Sequence, residues 1–302
     1  MRLVTRSDFD GLACGALLKT LGIIDTWKFV HPKDMQDGLI EVTDQDVLTN
    51  VPYVPGCGMW FDHHTSEMER VGRDRLCPGE CRPALSAARV IYDYYDGEKK
   101  LPHFRPMIEA VDRVDSGLLT VEEVLRPTGW VLLGFIMDPR TGLGRFRDFR
   151  ISNLELMVSL LDWCALHTID EILLMPDVQE RVEMYFQQDA LFRRMILDHA
   201  AVRGSVIVVD LRDVNPIYTG NRFLLYSLFP EQNVSVWVVD GRMKQNCSIA
   251  VGRSIINRGS KVDIGSLMLR YGGGGHVMVG TCQVEYNKAS QAIEEIVSAL
   301  NA

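Results

Sequence analysis

The stretch GMWFDHHTSE, residues 58–67, runs an apolar segment straight into an acid and two imidazoles, Asp62, His63 and His64. Taken alone, such a triplet reads as a solvated loop after a strand, so other carboxylates must decide its meaning. Upstream, short β-rich runs (Leu3 to Thr5, Trp27 to Val30, Val47 to Thr49, Met59 to Phe61) alternate with a helical pattern from Leu12 to Leu21 and a weaker one from Lys33 to Ile40. That alternation predicts βαβ units, a parallel sheet with helices on its faces. Polar residues just past the carboxyl ends of such strands line the ligand crevice. Asp8 and Asp10 follow the first strand, Asn50 the third, and Asp62, His63 and His64 the fourth.

Working outward, apolar residues fall at helix spacing from Pro83 to about Ala201, and a run of mixed charge from Asp177 to Arg203, ended by Gly204, reads as a connecting helix. A second α/β pattern follows: strands at Val206 to Val209, Val234 to Val239, Cys247 to Val251 and Met278 to Val284, with helices around Asn221 to Leu228, Asp263 to Tyr271 and Lys288 to Leu300. The expected fold class is therefore α/β. Residues 1–203 form a parallel-sheet domain with a helical layer, and residues 204–302 form a smaller α/β domain.

At 302 residues with 47% hydrophobic and 24% charged side chains, the chain has material for two ordinary cores. Its net charge of −8 argues against holding long duplex nucleic acid, which needs a broad basic surface. Any anionic substrate must be held locally, by a few arginines, backbone N–H groups or metal ions. The seven scattered cysteines and a start, MRLVTRSDFDG, without the apolar core of a secretory signal lead to a cytoplasmic expectation. Cys77 and Cys81 have no second Cys/His pair at finger spacing and read as an ordinary loop. The longest apolar run, Trp130 to Met137, is far below the roughly 20 residues of a membrane span.

Asp8-Phe9-Asp10-Gly11 places two carboxylates at a strand end, where they either bracket a cation or divide between helix capping and solvent. Together with Asp62-His63-His64 in the same sheet, the mixture of oxygen and imidazole donors suits manganese, iron, cobalt or zinc better than magnesium alone. Near the C-terminus, Gly272 to Gly275 offer backbone N–H groups without a Cβ in the way, and Arg253 offers a planar fork for the same anion. The plainer reading of these glycines is a tight turn. Arg140, Arg145, Arg147 and Arg150 form a basic cluster that suits a second phosphate or a solvated loop.

With these motifs in this order, the chain resembles the DHH phosphoesterases, from D-x-D-G through Asp62-His63-His64 to Val251-Gly252-Arg253-Ser254 and Gly273-Gly274-Gly275-His276. The resemblance implies a pair of divalent metals, usually manganese, in a cleft between two domains, bound by Asp8, Asp10, His63 and the fourth-motif acid. That acid is Asp115 in Val114-Asp115-Ser116-Gly117, with Asp112 as the alternative. His64 would face the phosphate, Asp62 would orient the triplet, and Arg253 with Gly273, Gly274, Gly275 and His276 would hold substrate. The implied reaction is hydrolysis of a phosphodiester or phosphoanhydride in a small substrate: a short oligonucleotide, a cyclic dinucleotide or polyphosphate. The competing reading is a nucleotide-binding protein with a degenerate metal centre. A homodimer is a further expectation.

Two positions depart from the family pattern. Arg6 stands where many relatives carry a histidine, and Asn50 stands where the third strand usually ends in an aspartate. Asp10, His63 and Asp115, with Asn50 as a neutral oxygen donor, could still hold one metal; the other site keeps only Asp8. A guanidinium about 4 Å from a divalent ion at effective dielectric 20 costs roughly 8 kcal/mol. Arg6 is therefore expected to replace one cation, pairing with Asp8 and holding a substrate phosphate.

Overall fold

The computed structural model describes residues 1–71 and 76–302. It divides into two compact units, residues 1–119 with 126–185, and residues 120–125 with 186–302.

The first unit is built on five parallel strands: β1 (Arg2–Thr5), β2 (Thr26–Phe29), β3 (Asp46–Thr49), β4 (Met59–Asp62) and β5 (Gly79–Cys81), in the order β2-β1-β3-β4-β5. Its helices are α1 (Phe9–Thr20), α2 (Pro32–Gln36), α3 (Thr65–Val71), α4 (Ala87–Tyr94), α5 (Gly97–Lys100) and α6 (Arg105–Ser116). Then, past α7 (Val121–Leu125), which packs with the second unit, come α8 (Gly129–Met137), α9 (Asn153–Leu166) and α10 (Ile169–Leu174). Parallel strands buried on both faces need apolar residues at consecutive positions, and Leu3, Val4, Val47, Leu48, Trp60 and Phe61 are all inaccessible or nearly so. Val4, Leu48 and Trp60 form one face with Met35 and Val71. Helix α1 approaches closely because Gly15 carries no Cβ: one there would stand 2.5 Å from Leu161 and 2.9 Å from Leu3. The order reverses between β1 and β3, the kind of crevice at which α/β sheets bind ligands.

Helix α11 (Pro176–His199) is shared by the two units, which divide between Tyr185 and Phe186. Sequence divides the chain at 203/204, where helix gives way to strand; packing divides it earlier because Phe192, Met195 and Ile196 join the second core. The second unit holds a six-stranded mixed sheet of β6 (Ala200–Arg203), β7 (Val206–Asp210), β8 (Val234–Asp240), β9 (Asn246–Arg253), β10 (Gly274–His276) and β11 (Val279–Glu285), ordered β10-β11-β9-β8-β7-β6. Only β7 and β8 pair in parallel. Helices α12 (Leu224–Leu228), α13 (Ile264–Leu269) and α14 (Ala289–Asn301) complete it. Val236, Ile249 and Val251 pack with Met268, Ile293 and Ile296 in one apolar cluster.

Two expectations and one alternative reading need correction. The connecting helix stops at His199, because residues 200–203 pair antiparallel with β7 across a turn at Gly204, whose φ is +66°. The helix expected from Lys33 to Ile40 ends at Gln36, with Gly38 at φ +70°. The glycine-rich segment is not wholly a turn, since residues 274–276 form an edge strand. No helix among the described residues is long and apolar enough to cross a membrane.

Candidate active site

Strand β1 delivers Asp8 and Asp10 to the start of α1. Asp8 is the N-cap, its Oδ1 accepting from the Gly11 N–H at 3.0 Å. The helix-cap role open at the level of sequence is thus real for this aspartate. The same Oδ1 accepts from Asn50 Nδ2 at 3.2 Å, and Oδ2 lies 3.0 Å from Arg6 Nε. Asn50 follows β3 in the left-handed region, φ +54°, a conformation asparagine tolerates better than most residues. Its Oδ1 is buried without a partner. Gly11 is required for space: a Cβ there would stand 2.1 Å from the Arg6 carbonyl oxygen.

Asp10 is held at the N-terminus of α4, its two oxygens accepting from the N–H groups of Ala87 at 2.9 Å and Ala88 at 2.8 Å. Burial, and then the charge of Asp115, push its pKa up to about 7, against the pull of His63. Burial likewise raises Asp8, with Arg6 opposing. Both carboxylates are costly to keep charged without a cation.

At the end of β4, Asp62 is fully buried. Its Oδ1 accepts from the His63 N–H at 2.8 Å and meets His64 Nδ1 at 2.7 Å. Burial works against a charged His64, but the hydrogen bond and charge of Asp62, with Asp115 and Asp10 beyond, outweigh it and raise its pKa. His63 Nδ1 lies 3.2 Å from the Ala84 carbonyl oxygen, so that nitrogen carries the proton and Nε2 presents a lone pair. Nε2 is buried with no hydrogen-bond partner, 3.4 Å from Asp115 Oδ2 and 3.9 Å from Asp10 Oδ2. A lone pair facing two carboxylates is unfavourable unless something positive stands between them. Ligand atoms of the three residues lie within 4.8 Å of one another, which fits donors gathered around an ion at bond lengths of about 2.1 Å.

Asp112 and Asp115 differ in their partners. Asp112 accepts from Ser86 Oγ at 2.7 Å and from both Nε and Nη2 of Arg89, at 2.9 and 2.7 Å, while Asp115 faces His63. Asp112→Ala is therefore expected to cost about 2 kcal/mol of stability by removing charged hydrogen bonds and leaving Arg89 with Asp93 at 3.7 Å, with cation content unchanged; a urea melt and elemental analysis check it. Lost cation at unchanged stability would make Asp112 a ligand.

Sequence reasoning named Arg140 only within a basic cluster and missed its partner. Asp138, capping the turn after α8, and Arg140 line the same recess as Asp8, Asp10 and Asp115. Arg140 Nε lies 2.7 and 3.0 Å from the two Asp138 oxygens, and Asp138, Asp115 and Asp8 outweigh burial in raising the arginine's pKa. Of the four arginines, Arg140 is the one among the residues lining the recess; the Arg150 guanidinium lies toward Asp177 while its backbone N–H donates to Glu180, and Arg145 donates to the Gly142 carbonyl. An aspartate directly before Pro139, closing an apolar helix, was the available signal.

In the second unit, Arg253 donates twice to the Val262 carbonyl, from Nε at 2.8 Å and from Nη2. Three of the four glycines answer backbone demands: Gly272 has φ +71°, and a Cβ on Gly273 or Gly275 would meet a carbonyl oxygen at 2.0 or 2.2 Å. Gly274 stands in open space, and His276 is exposed on the edge strand.

No family model matches the chain, and no curated protein does. Among solved structures, PggH of Vibrio cholerae, described as a pGpG-specific phosphodiesterase, is 46% identical over 99% of this chain and 98% of its own, with a TM-score of 0.85. The DHH domain of a member of the s1p family of ribosomal proteins (13% identity, TM-score 0.56, covering 99% of this chain and 86% of that one) shares the fold. So does CDC45 of Entamoeba histolytica (7% identity, TM-score 0.51, covering 100% and 95%). Identity of the first extent, over essentially two whole chains, carries more than a fold, and the chain belongs to the DHH phosphoesterases, hydrolases of phosphoric esters.

Proposed function

We propose that this phosphoesterase is divalent-metal-dependent and hydrolyses the phosphodiester of a dinucleotide of the pGpG kind. The observation that supports the reading most is the 46% identity to a pGpG-specific phosphodiesterase over 99% of the chain. Asp10, His63 and Asp115 would hold the metal, with Asn50 Oδ1 as a neutral donor and manganese the first ion to try. Their orphaned donors suit it: the Nε2 of His63 and the Oδ1 of Asn50 are buried without partners. When bound, a divalent ion polarises a phosphoryl oxygen and lowers the pKa of water from 15.7 towards about 7.

The chain's own residues do the rest. Asp62 ties the backbone N–H of His63 and the imidazole of His64 through one oxygen, so that His64, its pKa raised by that hydrogen bond and charge against burial, can face a phosphate. Arg6, tied to Asp8 through Nε, keeps its terminal nitrogens for a phosphate oxygen. Arg253, Gly273, Gly274, Gly275 and His276 are proposed to contribute to substrate holding, Gly274 most directly because no backbone demand explains it.

The test is a substrate panel: pGpG, its cyclic precursor, a long oligonucleotide and polyphosphate, each with manganese, with magnesium and with chelator. The dinucleotide is expected to be cleaved at least about a hundredfold faster than the others, and chelator to stop it. Equal rates on the long oligonucleotide would refute the size preference, and turnover in chelator the metal dependence.

A further inference from the structure

Both oxygens of Asp8 are occupied by the chain itself: Oδ1 by the Gly11 N–H and Asn50 Nδ2, and Oδ2 by Arg6 Nε. A divalent ion at Asp8 would have to displace these donors and share its place with a guanidinium, a strong repulsion at contact distance. The group of Asp10, His63 and Asp115 differs, since among the described residues no guanidinium forms an ion pair with it and His63 Nε2 has no hydrogen-bond partner.

Charge gives the same count. Asp8, Asp10, Asp115 and Asp138 line the recess, and two guanidiniums pair with them, Arg6 on Asp8 and Arg140 on Asp138. Counted formally, four carboxylates outnumber two guanidiniums by two, a difference that one divalent cation matches and a second exceeds. Both arginines are gripped through Nε, an arrangement that leaves the terminal amino groups to address a phosphate as a fork.

Resting on the phosphodiester reading above, we propose that the centre takes one divalent cation, at Asp10, His63 and Asp115. Arg6 and Arg140 then supply the substrate phosphate with the positive charge that a second ion would otherwise provide. The pair of metals implied by the family resemblance is in this chain one metal and two arginines.

Elemental mass spectrometry after manganese loading and desalting reads the count without reference to turnover. Wild-type protein is expected to retain one ion per chain, and Arg6→His with Asn50→Asp to retain two. Two ions or none in the wild type would overturn the proposal, and an unchanged single ion in a folded double variant would remove Arg6 from its role. Should the double variant not fold, Arg6→Ala and Arg140→Ala serve: each is expected to keep one ion while KM for the dinucleotide rises about tenfold or more. Lysine should recover little of this, since it lacks the fork. An arginine whose removal leaves KM unchanged takes no part in binding. One ion per chain with no cleavage of any dinucleotide would sink the functional reading and leave the ion count standing.

Discussion

Replacing His63 with alanine is expected to lower dinucleotide hydrolysis by about a thousandfold or more and to abolish manganese retention, with the fold intact. The imidazole is nearly buried, and Nδ1 is committed to the Ala84 carbonyl. That bond fixes the ring and directs the Nε2 lone pair between Asp115 and Asp10, where no protein donor meets it. Alanine removes the single nitrogen of the three-residue donor group and leaves two carboxylates, one of them already driven towards its protonated form by burial. A thousandfold loss corresponds to about 4 kcal/mol of transition-state stabilisation, a reasonable size for losing the cation and its positioning together. The structural cost is one hydrogen bond and a small cavity, so circular dichroism should report a folded protein. Full manganese retention in folded His63→Ala protein would show that the ion binds elsewhere.

Much of this site was legible because a parallel sheet concentrates its chemistry at strand ends. Leu3 to Thr5, Val47 to Thr49 and Trp60 to Phe61 are buried and so read as continuous runs with little polar interruption. The polar residues that interrupt them, Asp8, Asn50 and Asp62, had to lie at one edge. What the sequence left open depends on partners far along the chain. Asp112 and Asp115 stand one helical turn apart, and the choice between them rests on Arg89, which claims the first. Arg140 looked like one of four arginines in a loop until Asp138 turned it into the recess. Strand β5 has no β-branched residue, and Gly79 enters it at φ +109°, against the Trp60 backbone, so no local propensity announces it. Residues 200–203 continue a helical pattern; their pairing with β7 is what makes them a strand.

The same crowding of charge predicts a conflict between activity and stability at Asp115. After burial, the Asp115 charge is the largest influence raising the pKa of Asp10 from 3.8 to about 7, and it helps raise Asp8 as well. An acid whose folded pKa is raised holds its proton more tightly in the native state than in the unfolded chain. Its contribution to stability is therefore fully present below about pH 3.8 and is lost as pH rises through about 7. Metal-free protein should accordingly be less stable at pH 8 than at pH 5 through this group. Asp115→Asn removes the like charge while keeping the shape, and with a quarter of the side chain exposed, its amide can remain hydrated. Each pKa unit recovered at Asp10 returns about 1.4 kcal/mol, so the variant in chelator is expected to gain on the order of 1 kcal/mol at pH 8 and almost nothing at pH 4. Manganese should reverse the order, because the wild type gains binding free energy that the variant largely forgoes, and turnover of the variant should fall by about a hundredfold or more. Urea melts of both proteins at pH 4, 5 and 8, with chelator and with manganese, separate these effects. If Asp115→Asn is the less stable protein at pH 8 in chelator, the three carboxylates do not repel one another as their positions require, and the case for a cation among them weakens accordingly.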